Sequence, residues 1–211
     1  MKRLVLSFLL IIMDLFLSPG LQAQQNATVQ GPISSSAART GGSKAKPAPE
    51  SRVLVVYFSY SGNTREVART IHNQVGGQLF EIQTVNPYPR DYDAVVKQAK
   101  QELETGYRPR LKNQVADFAT CQVVYLGYPN WWGTMPMPVA TFLSEHDFSG
   151  KIIAPFCTHE GSRLGRSVAD IQKLCPGATV LEGLAIRGRD AKKAQGDVSA
   201  WLRGIQMPVR K

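Results

Sequence analysis

The sequence predicts an α/β domain, three layers deep, built on an open parallel sheet of five strands with helices on both faces. Three observations carry this. Five short apolar runs rich in β-branched and aromatic residues recur after Arg52. Stretches with apolar residues at helical spacing separate them. Together they occupy roughly 155 residues, the length of one domain. Buried parallel strands need helix-length crossovers to return, and those crossovers are right-handed. A site is then expected beyond the carboxyl ends of the strands.

The first run, RVLVVYF from Arg52, reads as a strand covered on both faces. SYSGNT follows, and Val67, Ala68, Ile71 and Val75 then fall on one helical face. QLFEIQTV is the second strand by its alternation, and residues 91–104 form the second helix. CQVVYLGY is the third strand, followed by PNWWGTMP and a short helix over Val139–Leu143. KIIAPFCT is the fourth strand, THEGS a loop, and Leu164–Leu174 a helix. TVLEGLAI supplies a single fifth strand, and a last helix covers Lys192–Leu202.

The domain is assigned to residues 51–205, with 206–211 as a tail. Ahead of it, Met1, Lys2 and Arg3 precede an apolar run from Leu4 to Leu17, the arrangement of a secretory signal over residues 1–23. The run is short for a bilayer span, so cleavage after Ala23 leaves no stable transmembrane segment, and the expected destination is the periplasm. Residues 24–50 are rich in Gln, Ser, Ala, Gly and Pro and read as a flexible linker.

Composition excludes more than it names. The chain of 211 residues is 43% hydrophobic and 19% charged, with a net charge of +9. From Ser51 onward, 20 basic and 14 acidic residues leave +6. These charges are dispersed, without the basic stripe and stacking aromatics of a nucleic-acid surface. The cysteines Cys121, Cys157 and Cys175 contain no CxxC pair, and the three histidines show no HExxH spacing, so a metal site is not expected.

Three loops carry the chemistry. Ser59, Tyr60, Ser61, Gly62, Asn63 and Thr64 lie between the first strand and first helix. Hydroxyls, a permissive glycine and the unsatisfied amides of a helix start form a cradle for a phosphate. Neither GxGxxG nor GxxxxGK[ST] is present, so a monophosphate is expected rather than a pyrophosphate. After the third strand, Pro129, Asn130, Trp131, Trp132 and Gly133 place two adjacent indoles in a polar loop, a wall suited to a conjugated ring. After the fourth come Thr158, His159, Glu160, Gly161 and Ser162. Tyr88 and Tyr92, in PYPRDYD, either cover a ligand or staple the second helix, and Glu81 is placed to order a neighbouring loop.

The segments FSYSGNT, PYPRDY, GYPNWWGTMPMPV, FLSEHDFSGK and PFCTHEGS together resemble the flavodoxin family, in its exported or stand-alone branch with a YFSYSGNT opening and a GYPxWWG middle loop. The resemblance covers about Arg52 to Leu202. It implies strand order 2-1-3-4-5, for which flavodoxins are the standard example, and flavin mononucleotide (FMN) as cofactor. It places Ser59, Ser61, Gly62, Asn63 and Thr64 on the phosphate, and Pro129 to Gly133 and Thr158 to Ser162 on the ring. Asn130, His159 and Glu160 make these loops more polar than the usual pattern. No protein nucleophile or general base is expected, because the cofactor would carry the redox step. Two redox readings follow: electron transfer with a partner protein or small-molecule donor or acceptor, and an NAD(P)H-dependent oxidoreductase acting on a quinone-like acceptor. The rival is a binding module that has lost flavin.

Overall fold

The computed structural model describes residues 53–207. The expectations for the leader at 1–23, the linker at 24–50, Ser51 and Arg52, and most of the 206–211 tail lie outside the described residues. Among the described residues no helix is long and apolar enough to cross a membrane.

The elements follow the expected alternation: β1 (Val53–Tyr57), α1 (Asn63–Val75), β2 (Gln78–Glu81), α2 (Tyr92–Thr105), β3 (Val123–Pro129), α3 (Met137–Glu145), β4 (Ile152–His159), α4 (Ser167–Leu174), β5 (Thr179–Val180), β6 (Leu184–Arg187) and α5 (Gln195–Gly204). The sheet runs β2-β1-β3-β4, and β5 and β6 both pair with the outer side of β4. Every strand pair is parallel. Two apolar layers result. One face of the sheet buries Val124, Leu126, Ile153 and Cys157 against α3 and α4. The other buries Val55, Tyr125, Ala154 and Phe156 against α1 and α5, through Ile71, Val198 and Leu202.

Three boundaries differ from the sequence expectation. The second strand stops at Glu81 instead of reaching Val85, and Thr84 then meets Leu111 in an isolated antiparallel bridge. The fourth strand runs on through His159, which was expected in a loop. The fifth strand is two pieces instead of one. Ile153 pairs with Val180 and Phe156 with Leu184, so two residues of β4 face three of the outer strand. The cause is Pro155. Leu181 N–H donates to Ile153 O at 2.8 Å, and the next β4 position facing the same neighbour is Pro155, which has no N–H to offer. A one-residue bulge over Leu181–Gly183 absorbs the missing bond.

The cysteines Cys121, Cys157 and Cys175 are all buried, and burial pushes the Cys157 thiol up to about 12. Among the described residues no cluster of three His, Cys, Asp or Glu is arranged to hold a metal ion.

Candidate functional site

The carboxyl ends of β1, β3 and β4 bring the three predicted loops to one end of the sheet. The chain leaves β1 through Ser59 and turns into α1 at Gly62, whose φ of 94° lies in the left-handed region that glycine tolerates. Gly62 has no side chain with which to cap the helix. Ser59 performs that function from outside it: its Oγ accepts from the amides of Gly62 and Arg65, both at 3.2 Å. Asn63 and Thr64 fall in the first turn of α1, where amides have no intrahelical acceptor. The Thr64 hydroxyl is buried and bonded to the Thr158 hydroxyl at 2.8 Å, tying this turn to the end of β4. Arg65 meets Glu81 at 2.6 Å; Glu81 thus orders the neighbouring loop by anchoring the start of α1 to the end of β2. Ser61 is exposed at the apex.

The tryptophan loop is a tight hairpin. Trp131 and Thr134 exchange both main-chain hydrogen bonds, at 2.9 and 3.0 Å. Trp132 and Gly133 between them have φ of 53° and 79°. Positive φ at both central residues is the type I′ turn, in which a bulky residue at the first position is costly. The two indoles take different environments. Trp131 stands edge-on to Phe58, Tyr60 and Tyr88, with ring centroids 5.3–5.8 Å away. Trp132 is 46% exposed, donates through Nε1 to Val96 O at 3.2 Å, and carries Lys100 Nζ 5.3 Å from its ring. Together with Tyr60, Tyr92 and Asn130 the indoles line a cleft of about 280 Å³.

The third loop is fastened to the second. Asn130 N–H donates to Thr158 O at 2.8 Å, Asn130 Nδ2 to Arg163 O at 2.7 Å, and Arg166 N–H to Gly133 O at 2.8 Å. Two buried polar atoms in these loops have no partner: Asn130 Oδ1 and His159 Nδ1. Buried polar atoms are seldom left so, and both fit hydrogen-bonding groups of a ligand. Burial, then the charges of Arg163 and Arg187, hold the His159 imidazole below its ordinary pKa. Glu160 reaches toward Asn63 across Gly188, where a methyl group would lie 2.3 Å from Glu160 Oε1 and 2.6 Å from Asn63 Nδ2. Gly161 and Ser162 are exposed.

The structure therefore joins Ser59, Gly62, Asn63 and Thr64 to Thr158 and Glu160, and Asn130, Trp131 and Trp132 to one another. His159 is set apart from the indoles: it lines a different cleft, toward β6 and α5. Of the two roles weighed for Tyr88, the structure shows the staple on the second helix. The tyrosine packs on Trp131 and donates its hydroxyl to the buried Glu102 of α2. Sequence reasoning named Tyr60 within SYSGNT but gave it no role; its hydroxyl donates to Pro89 O at 2.7 Å and its ring walls the tryptophan cleft. It also passed over Gly165 and Gly188, whose roles come from contacts distant in sequence.

An anion cradle on a helix start and an aromatic cleft, side by side at the carboxyl ends of the neighbouring strands β1 and β3, suit a ligand with a phosphate at one end and a planar ring at the other. The flavodoxin family model matches residues 52–205. The chain belongs to the flavodoxin family. A candidate flavoprotein from Bacteroides eggerthii is 33% identical, with a TM-score of 0.65 over 74% of this chain and 99% of its own. A second, from Bacteroides uniformis, is 27% identical with a TM-score of 0.65, covering 72% and 98%. A flavoprotein from Lactobacillus acidophilus, solved in complex with FMN, shares the fold at 20% identity and a TM-score of 0.57, covering 68% and 97%. No curated protein matches the chain.

Proposed function

We propose that this flavodoxin-family chain binds FMN and transfers electrons. One observation carries the reading: the Ser59–Thr64 turn and the Trp131–Gly133 turn stand at the same sheet end, following the neighbouring strands β1 and β3. The FMN complex of the Lactobacillus acidophilus relative supports it. In this reading Ser59, Ser61, Gly62, Asn63 and Thr64 hold the phosphate through hydroxyls and helix-start amides. Pro129, Asn130, Trp131, Trp132 and Gly133 bound the ring on one side, and Thr158, Glu160, Gly161 and Ser162 on the other, while His159 turns away toward β6. Bound FMN supplies reversible one- and two-electron chemistry.

The protein's own contribution is orientation and polarity. Trp131, backed by Phe58, Tyr60 and Tyr88, is a rigid wall that excludes water. Asn130 Oδ1, desolvated and without a donor, is ready to accept an N–H. The apolar leader supports export, and with it a donor and acceptor outside the cytoplasm. The basic domain favours partners of acidic surface.

The test is an absorbance and fluorescence titration of the purified chain with FMN, followed anaerobically by NADH, NADPH and dithionite. Saturable binding, with reduction by dithionite but by neither nicotinamide, is the expected result. Rapid reduction by NADH or NADPH would shift the assignment to a nicotinamide-dependent oxidoreductase, and no binding would overturn the flavin reading.

A further inference from the structure

A cleft of about 580 Å³ lies along β6 and α5, within the range of small-molecule sites. Four consecutive residues, Leu184 to Arg187, line it. Successive strand side chains point to opposite faces, so a cleft that touches all four follows the outer edge of the strand. Its apolar part is Leu184, Ile186, Trp201 and Ile205, with the Trp201 indole fixed by donation from Nε1 to Glu182 O at 2.9 Å.

At the head of the cleft stand His159, Arg163 and Arg187. His159 is 8% exposed and its Nδ1 has no partner, an arrangement that proteins avoid unless something else uses the group. Arg187 is its register partner across the β4–β6 pair, which sets guanidinium and imidazole on the same side of the sheet. Arg163 has a φ of 51°, unfavourable for a residue with a side chain. Its carbonyl is held in that conformation by Asn130 Nδ2 at 2.7 Å and by the Cys157 thiol at 3.2 Å. Neither arginine enters an ion pair among the described residues, although Glu182, Asp190 and Asp197 line the same cleft. Asp190 is paired instead with Arg189, at 3.7 Å, so the two lining arginines keep their charge without an ion-pair partner among the described residues.

We propose that this cleft is a second ligand site, distinct from the phosphate and tryptophan turns, which binds a small organic monoanion: a carboxylate received by Arg163 and Arg187 beside His159, with an apolar body against Leu184 and Trp201. Guanidinium groups match a planar carboxylate through paired N–H donors. Two arginines set among three lining acids have no cationic capacity for a second negative charge, so the site selects against phosphate dianions and their esters. Nothing in this assignment depends on flavin.

The test is an NMR titration of the full chain, with and without FMN, following the Trp201 indole N–H and the His159 ring protons. Benzoate is the probe, and benzamide and inorganic phosphate are the comparisons. Benzoate is expected to shift both reporters saturably, in the presence and absence of FMN. Benzamide, phosphate, and benzoate against Arg163→Ala or Arg187→Ala are each expected to bind about tenfold more weakly or worse. No saturable shift, equal binding of benzamide, or benzoate shifts abolished by FMN would overturn the proposal. If the chain binds no FMN at all, the flavin-free titration still decides this one. Both arginines are exposed, and the benzoate–benzamide comparison on the unaltered chain decides even where a variant is perturbed.

Discussion

Replacing Gly165 by alanine tests the fastening of the two ring loops. Gly165 has a φ of 54°, and a Cβ there would lie 2.2 Å from Gly133 O and 3.1 Å from Asn130 Nδ2. The first contact is with main chain inside the Trp131–Thr134 turn, so neither side can rotate away. The left-handed conformation costs an alanine about 1–2 kcal/mol. Separating the loops also breaks the Arg166 N–H to Gly133 O bond at 2.8 Å, worth about 1 kcal/mol. The expected loss is about 2–3 kcal/mol, which for a domain of this size lowers Tm by about 5–10 °C. Thermal unfolding by circular dichroism reads the first quantity and FMN titration the second: the variant should bind FMN at least about tenfold more weakly because Asn130 and both indoles move with the turn. Gly161→Ala is the control, since no atom lies within 4 Å of a Cβ there and Tm should stay within about 2 °C. A Gly165→Ala variant that melts like Gly161→Ala and binds FMN as tightly as the unaltered chain would refute the reasoning.

Other changes probe the site separately. The nearest atoms to a Cβ at Gly188 are the side-chain ends of Glu160 and Asn63, so Gly188→Ala should leave Tm nearly unchanged while weakening FMN binding several-fold in the same titration. Thr64→Val leaves the buried Thr158 hydroxyl without its partner and should cost about 1–2 kcal/mol; adding Thr158→Val should recover much of the loss, which a double-mutant cycle in denaturant measures. For His159, burial first and then Arg163 and Arg187 lower the folded pKa below its ordinary 6.5. The unfolded chain therefore binds more protons as pH falls through about 6.5, and stability drops until the folded pKa is reached. Tm of the unaltered chain should fall more steeply between pH 7 and pH 5 than that of His159→Gln; parallel slopes would remove the histidine from the account.

The elements most legible in the sequence are those whose signal is local. VLVVY and VVYLGY lie in buried central strands, and apolar runs need no knowledge of the partner strand to be recognised. The spacing of Val67, Ala68 and Ile71 placed them on the buried face of α1 in the same way. What could not be read was set across the sheet. The break in TVLEGLAI originates in Pro155, on the neighbouring strand and more than twenty residues earlier. The same holds in the site. SYSGNT announces a helix start on a glycine turn, but nothing in it reveals that Thr64 bonds Thr158, or that His159 turns toward β6 while Asn130 turns toward the indoles. Gly165 and Gly188 looked like ordinary loop glycines because the atoms that forbid a side chain there belong to other loops.

The missing amide of Pro155 has a consequence for how molecules of this protein meet one another. An open sheet ends in a strand whose outer hydrogen-bonding groups can recruit another chain, and the hazard grows with the length of straight, unbroken edge. Here the bulge divides that border into pieces of two and four residues with a kink between them. An incoming strand cannot stay in register across the kink, so the proline guards solubility from inside the sheet, one strand away from the border it protects.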